Sequence, residues 1–173
     1  MGCPHQTRLE PEGPVPVHRV TGRAFEAGLQ LGEHWRPALR ERADKPATGA
    51  VPLLRTPHIV RLFERYAPSL IDLHRGLAQG AGIPEAALRS VFPGGPGLND
   101  GCTSFAVHPS ATRDGTPVSG QTKDTGAERI AQYEVLALRI EEGFEMLTLT
   151  YPGWLFGHGF AAGGCSVFRN SIS

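Results

Sequence analysis

The stretch Pro93-Gly-Gly-Pro-Gly-Leu-Asn-Asp-Gly-Cys-Thr-Ser-Phe-Ala-Val107 divides the chain into two regions of different character. A Gly/Pro run with little side-chain bulk ends at Asn99-Asp100-Gly101, and Cys102 opens a segment that reads as a strand. Before it, apolar residues recur at helical spacing; after it, they alternate or run as in strands. Helices first and antiparallel strands second argue an α+β fold with helices layered on a sheet. The division falls at 1–101, mostly helical, and 102–173, a β region that begins with the cysteine.

Upstream, residues 1–17 are rich in Pro and Gly and read as irregular. The segment after Gly22 reads as one helix from about Ala24 to Arg42, with Phe25, Leu29, Trp35 and Leu39 as its apolar positions. Gly28 and Gly32 lie four apart on one face of it. Glycine lowers helix stability, so this pair predicts close packing against another helix. A second helical region follows the link 44–57, with one stripe at Ile59, Leu62, Phe63 and Tyr66 and another at Leu70, Leu73 and Leu77. Pro68 should kink or divide it, because proline removes a donor and clashes with the preceding turn. Pro84 opens a short third helix.

Downstream, "CTSFAVHPS" (102–110) and "PVSGQTKD" (117–124) read as paired strands joined through Asp114-Gly115, a tight-turn dipeptide. "YEVLALRI" (133–140) and "EMLTLTY" (145–151) form a second hairpin around "EEGF". "GHGFAAGGCSVFRNSIS" (157–173) begins with glycines that permit backbone approach and ends as another strand. Cys165 reads as a small core residue.

Composition excludes several classes of function. Lys+Arg and Asp+Glu number 17 each, for a formal charge of zero, and no electrostatic footprint for nucleic acid or an anionic membrane follows from that balance. No apolar run approaches the roughly 18–20 residues of a membrane span, and the start lacks the apolar core of a secretory signal. Cytoplasmic residence is the resulting expectation. Three cysteines (Cys3, Cys102, Cys165) are too few and scattered for a disulfide framework. With no CxxC and no HxxxH among seven histidines, no zinc site is expected, and Cys3 with His5 reads as part of a mobile terminus.

A catalytic thiol needs a base or a positive environment. Cys102 has no His or Lys adjacent in sequence, and His108, six residues along the strand, is some 20 Å away if extended. The residues leave two readings open. Either the thiol is packed and inert, or the Gly101–Cys102 bond is cut and the new α-amino group, with an ordinary pKa of about 7.7–8.0, serves as the base. Trp154, Phe156 and His158 form an aromatic stretch that either walls an acyl pocket or packs in the core. Ser104 either bonds the cleavage-site backbone or simply packs.

Four stretches resemble one family. "GRAFEAGLQLGEHWRPAL" (22–39) looks like its glycine-punctuated N-terminal helix, and "NDGCTSFAV" (99–107) is similar to its Asp-Gly-Cys-Thr cleavage site. "GQTKD" (120–124) matches a Gly-Gln-x-x-Asp strand end, and "GHGFAAGGCSVFRN" (157–170) looks like a Gly-Phe-x-x-x-Gly strand leading to an Asn. The family is that of the self-processing cysteine acyltransferases and hydrolases of the N-terminal-nucleophile type, peptidase family C45, which includes acyl-CoA:6-aminopenicillanate acyltransferase. The resemblance implies an αββα sandwich, here incomplete, because family members continue with further strands, helices, a second asparagine and a late arginine. It implies that Gly101–Cys102 is the scissile bond, that Cys102 is the nucleophile, that Asp124 orients its α-amine, and that Asn170 helps bind the oxyanion. Ser104, Trp154 and Phe156 would contact substrate, a small-molecule acyl donor or an acylated amine or peptide. No metal or organic cofactor is implied, nor a nucleic-acid or membrane partner; cleaved subunits would stay associated or meet a missing C-terminal half. The chain departs from the pattern at Thr122-Lys123, where the family has Asn-Trp, at Ala161, where it has Asn, and at Gln121, where the bile-salt-hydrolase branch has arginine. A catalytically silent homologue, acting as a binding module, is the alternative from another class, and a thiol hydrolase with a histidine base is a third.

Overall fold

The computed structural model describes residues 15–44, 57–91, 102–124, 131–141 and 143–168. In chain order these form β1 (Val17–Gly22), α1 (Ala24–His34), α2 (Arg36–Asp44), α3 (Pro57–Tyr66), α4 (Pro68–Ala81), α5 (Glu85–Val91), β2 (Cys102–Val107), β3 (Val118–Lys123), β4 (Glu134–Ile140), β5 (Phe144–Tyr151), β6 (Trp154–Ala161) and β7 (Cys165–Val167). The α+β class expected from the sequence is the class observed.

The first helical segment is two helices rather than one. Pro37 cannot donate to the carbonyl one turn back, and it stands in the first turn of α2, where a proline is tolerated. The chain therefore breaks at Trp35, which ends α1 with φ −91° and ψ 7°. Pro68 likewise divides the second region into α3 and α4, and α4 ends at Gly82 in the left-handed conformation (φ 67°). The Ile83 amide then reaches back to Ala78 O at 3.1 Å, closing a glycine-terminated C-cap.

The buried face of α1 consists of Ala24, Ala27, Gly28, Leu31 and Gly32, while Phe25 is exposed. Of the expected stripe Trp35 and Leu39 are buried as core, but within α1 small residues take the buried face because α4 lies unusually close. A Cβ built on Gly28 would collide with the Leu73 carbonyl, and one on Gly32 with the Leu77 carbonyl. The relation is reciprocal, since a Cβ on Gly76 would meet Phe25 O and one on Gly80 would meet Leu29 O. Two glycine pairs, each spaced by four, thus bring the helix backbones into contact, the small-xxx-small geometry that favours dispersion and Cα–H···O contacts. Arg36 Nε and Nη2 donate to Gly80 O at 3.0 and 2.8 Å, and Arg40 Nε donates to Ala81 O at 2.9 Å. These cations satisfy carbonyls at the negative end of α4. The α3 stripe is not core, for Leu62 and Tyr66 are exposed.

Five strands form a mixed sheet in the order β1-β4-β5-β6-β7, and β2 pairs with β3 in a separate two-stranded sheet. β1 falls almost wholly in residues 18–23, to which the sequence reading assigns no element; only Val17 lies in the segment read as irregular. The strand pairs in parallel with β4, Val17 opposite Val135 through Gly22 opposite Ile140, a pairing that requires a long crossover. One face of the sheet packs on the helices: Val20, Leu136, Leu138 and Ile140 join Leu31, Trp35, Leu39, Leu73, Leu77 and Leu88 in one buried cluster. Thr148 and Thr150 are buried on the same sheet, and each donates its hydroxyl to a β6 carbonyl, His158 O (2.7 Å) and Trp154 O. The opposite face carries Val135, Leu147, Leu149 and Phe160, and the β2–β3 hairpin lies over it. Ser119 Oγ of β3 and Ser166 Oγ of β7 stand 3.0 Å apart across that gap.

The 108–117 connection of this hairpin is longer than a two-residue turn and contains a 3-10 turn at Pro109–Ala111. Thr116 donates its backbone N–H to Asp114 Oδ1 at 3.1 Å, and this bond, aided by the Thr116 side chain, lowers the Asp114 pKa from its ordinary value. The stretch 154–167 is likewise two strands around the turn 162–164 rather than one. Cys165 is exposed at the start of the short edge strand β7, not in the core. Among the described residues no helix is long and apolar enough to cross a membrane.

Gly28→Ala and Gly76→Ala should each destabilise the fold by about 1–3 kcal/mol, because the added methyl overpacks against backbone that cannot retreat like a side chain. Glu33→Ala, on the exposed side of α1, should stay within about 0.5 kcal/mol. Denaturant midpoints of the three variants check both statements.

Candidate functional site

Cys102 is half-buried at the first position of β2, directly opposite Lys123. Asp124 follows Lys123 immediately and is exposed, so Cys102 and Asp124 occupy the same end of the hairpin although 22 residues separate them in sequence. Residues opposite one another in an antiparallel pair share a face. Cys102 opposite Lys123 and Ser104 opposite Gln121 therefore lie on one face. On the other, the Phe105 ring covers Gly120.

Between that hairpin and the five-stranded sheet lies a cavity of about 340 Å³. Gln121 and Lys123 line it on one side, and Leu147, Leu149, Phe160 and Phe168 on the other. Its volume falls at the small end of the range for small-ligand pockets, and its wall is mainly apolar. Trp154 is buried and does not line this cavity. It packs against Tyr151, with ring centroids 4.8 Å apart, and meets His158 edge-on at 5.5 Å. The Lys123 ammonium stands 5.6 Å from the Trp154 ring centroid, within cation–π range. Ser104 is exposed. Gly101, Asn170 and the Phe156 side chain lie outside the described residues, as do Cys3 and His5. His108 is at the far end of β2, where its Nδ1 meets Ser110 Oγ at 2.9 Å.

Lys123 was not singled out from the sequence as a site residue. The signal was the departure at that position from the aromatic residue of the resembled family. Only the strand register makes it the partner of Cys102.

A second constellation has no sequence motif at all. His18 on β1, His34 at the end of α1 and Glu134 at the start of β4 converge beneath the helices. His18 Nε2 and His34 Nε2 each lie 3.1 Å from the same oxygen, Glu134 Oε2. The indole N–H of buried Trp35 donates to the other oxygen, Oε1. Glu134 is buried, and burying a carboxylate is costly unless donors replace its water. Here His34 Nε2 and the Trp35 indole do so as hydrogen bonds, and His18 Nε2 stands at ion-pair distance. The imidazoles of His18 and His34 are in contact, their centroids 3.9 Å apart and their planes tilted by 45°. Potential ligand atoms of the three residues lie within 4.8 Å of one another. His34, Trp35 and Glu134 also form part of the wall of a cleft of about 590 Å³ that includes Glu41, Arg42 and Gln132.

Comparison of the chain with protein-family models finds no match, and comparison with curated proteins finds none.

Glu134→Leu leaves the buried Trp35 N–H without its acceptor and should cost about 1–3 kcal/mol. Glu134→Gln, which keeps a carbonyl oxygen for the indole, should cost less. Urea midpoints of the two variants, compared under identical conditions, give the difference.

Proposed function

We propose that the protein is a self-cleaving cysteine acyltransferase or amide hydrolase of the N-terminal-nucleophile type. The observation that carries this reading is the placement of Cys102 at the head of β2, opposite Lys123, which ends β3, lines an apolar cavity between hairpin and sheet, and directly precedes Asp124. The layered arrangement of helices, five-stranded sheet and hairpin agrees with the αββα plan. The outer face of the hairpin, where Phe105 and Val118 are exposed, is the side that a second helical layer covers in that plan.

In this reading Cys102 Sγ attacks the Gly101 carbonyl carbon. The Gly101–Cys102 amide bond breaks, leaving a thioester and a free α-amine, and water hydrolyses the thioester to a Gly101 carboxylate and a thiol. The freed amine then takes the thiol proton as Sγ attacks an acyl substrate, and passes it to the leaving amine or thiol. Asp124 orients the amine. Asn170 or a backbone N–H stabilises the oxyanion, a role whose loss typically costs about 2.7–4 kcal/mol of barrier. The cavity bounded by Leu147, Leu149 and Phe160 takes the acyl chain, and Lys123 marks its Cys102 end. The two pieces would remain associated after cleavage, because β1 pairs with β4 along its whole length and the helices share a core with the sheet.

Intact-mass analysis of the purified full chain should show pieces corresponding to 1–101 and 102–173, and Cys102→Ala should remain whole. After exposure to an acyl thioester, the 102–173 piece should carry the acyl mass. A wild-type chain that stays uncut and unacylated would instead identify a silent binding module.

A further inference from the structure

We infer that His18, His34 and Glu134 form a binding site for a divalent transition-metal ion of the zinc class, independent of Cys102. The donor set is two imidazole nitrogens and one carboxylate oxygen, a three-ligand set that zinc accepts when a fourth position is left open. Hard cations such as Mg²⁺ and Ca²⁺ prefer all-oxygen shells and are poor matches for it.

The geometry is close to what coordination requires. Zinc–nitrogen bonds of about 2.0–2.1 Å in a tetrahedron separate neighbouring ligand atoms by about 3.3 Å. Both Nε2–Oε2 separations are 3.1 Å. Small side-chain movements would therefore open the centre to an ion. Without metal, His34 Nε2–H donates to Oε2, and His18 Nε2 stands 3.1 Å from the same oxygen. With metal, each Nε2 offers its lone pair, the ring proton resides on Nδ1, and the cation replaces the bridging proton.

The surroundings are those of a positioned ligand. Trp35 holds Oε1, which leaves Oε2 directed at the two imidazoles, the kind of outer bond that fixes a ligating carboxylate. Each ligand comes from a different element, and the core holds all three elements in place: β1 through Val20, α1 through Leu31, and β4 through Leu136 and Leu138. His34 is the most exposed of the three, its side chain 40% accessible, and it stands at the wall of the cleft. The fourth coordination position would face that cleft, where water can occupy it.

Calorimetric titration of the chelator-treated full chain with ZnCl₂ should show one saturable site, and Zn²⁺ should raise the thermal midpoint. His34→Ala and Glu134→Gln should each weaken binding at least tenfold, with unchanged far-ultraviolet circular dichroism; His58→Ala, on the exposed surface of α3, should leave it unaltered. Titration of the wild-type chain with Co²⁺ needs no variant. It should produce visible d–d bands of a four-coordinate N/O site with no sulfur-to-metal charge-transfer band. No saturable Zn²⁺ uptake, uptake that survives His34→Ala, or a thiolate charge-transfer band would each overturn the site.

Discussion

Contact between the backbones of α1 and α4 is the constraint from which the helical layer follows. Gly28 and Gly32 admit the carbonyls of α4, while Gly76 and Gly80 admit those of α1. No side chain larger than hydrogen fits at these four positions, so the two helices have one register and one separation. That register directs Leu31, Trp35 and Leu39 onto the sheet beside Leu73 and Leu77. It also sets where α1 ends. The break at Trp35, forced by Pro37, leaves His34 and the Trp35 indole over the first residue of β4, so a backbone constraint in one layer determines the surroundings of Glu134 in the next.

The five-stranded sheet has two differently used faces. Its helix side is closed, with buried threonines that satisfy their hydroxyls within the sheet. The other side is apolar yet open, and the β2–β3 hairpin covers only part of it. A cavity persists because Gly120 and Gln121 supply little apolar bulk opposite Leu147, Leu149 and Phe160. Of Cys102, Lys123 and Asp124, Lys123 lines that cavity, and strand pairing sets Cys102 and Asp124 beside it. The hairpin register places residues 102 and 123 opposite each other, and the residue after 123 is the aspartate.

Local signals in the sequence carried much of the fold. Pro68 and Pro84 marked helix boundaries, the apolar patterns of 133–140 and 145–151 marked a hairpin, and the spacing of Gly28 and Gly32 announced close helix packing. What failed to show was non-local. β1 contributes one buried side chain, Val20, within "VHRVTG", so its alternation is weak; its identity as a strand depends on β4, more than 110 residues away. Cys165 looked like core because of its residue type, whereas edge-strand geometry exposes it. The thiol end of the candidate site was legible through Cys102 and Asp124, but Lys123 emerged only from register. The His18–His34–Glu134 cluster had no signature, since three residues separated by 16 and 100 positions meet only once the sheet and α1 are assembled.

The functional account rests on chemistry at one peptide bond. N-terminal sequencing of the shorter polypeptide from a purified preparation tests it most directly. The account predicts a chain that begins Cys-Thr-Ser-Phe, with its α-amine unblocked. A preparation that contains only the unprocessed chain, or a fragment that begins at any other residue, would contradict it.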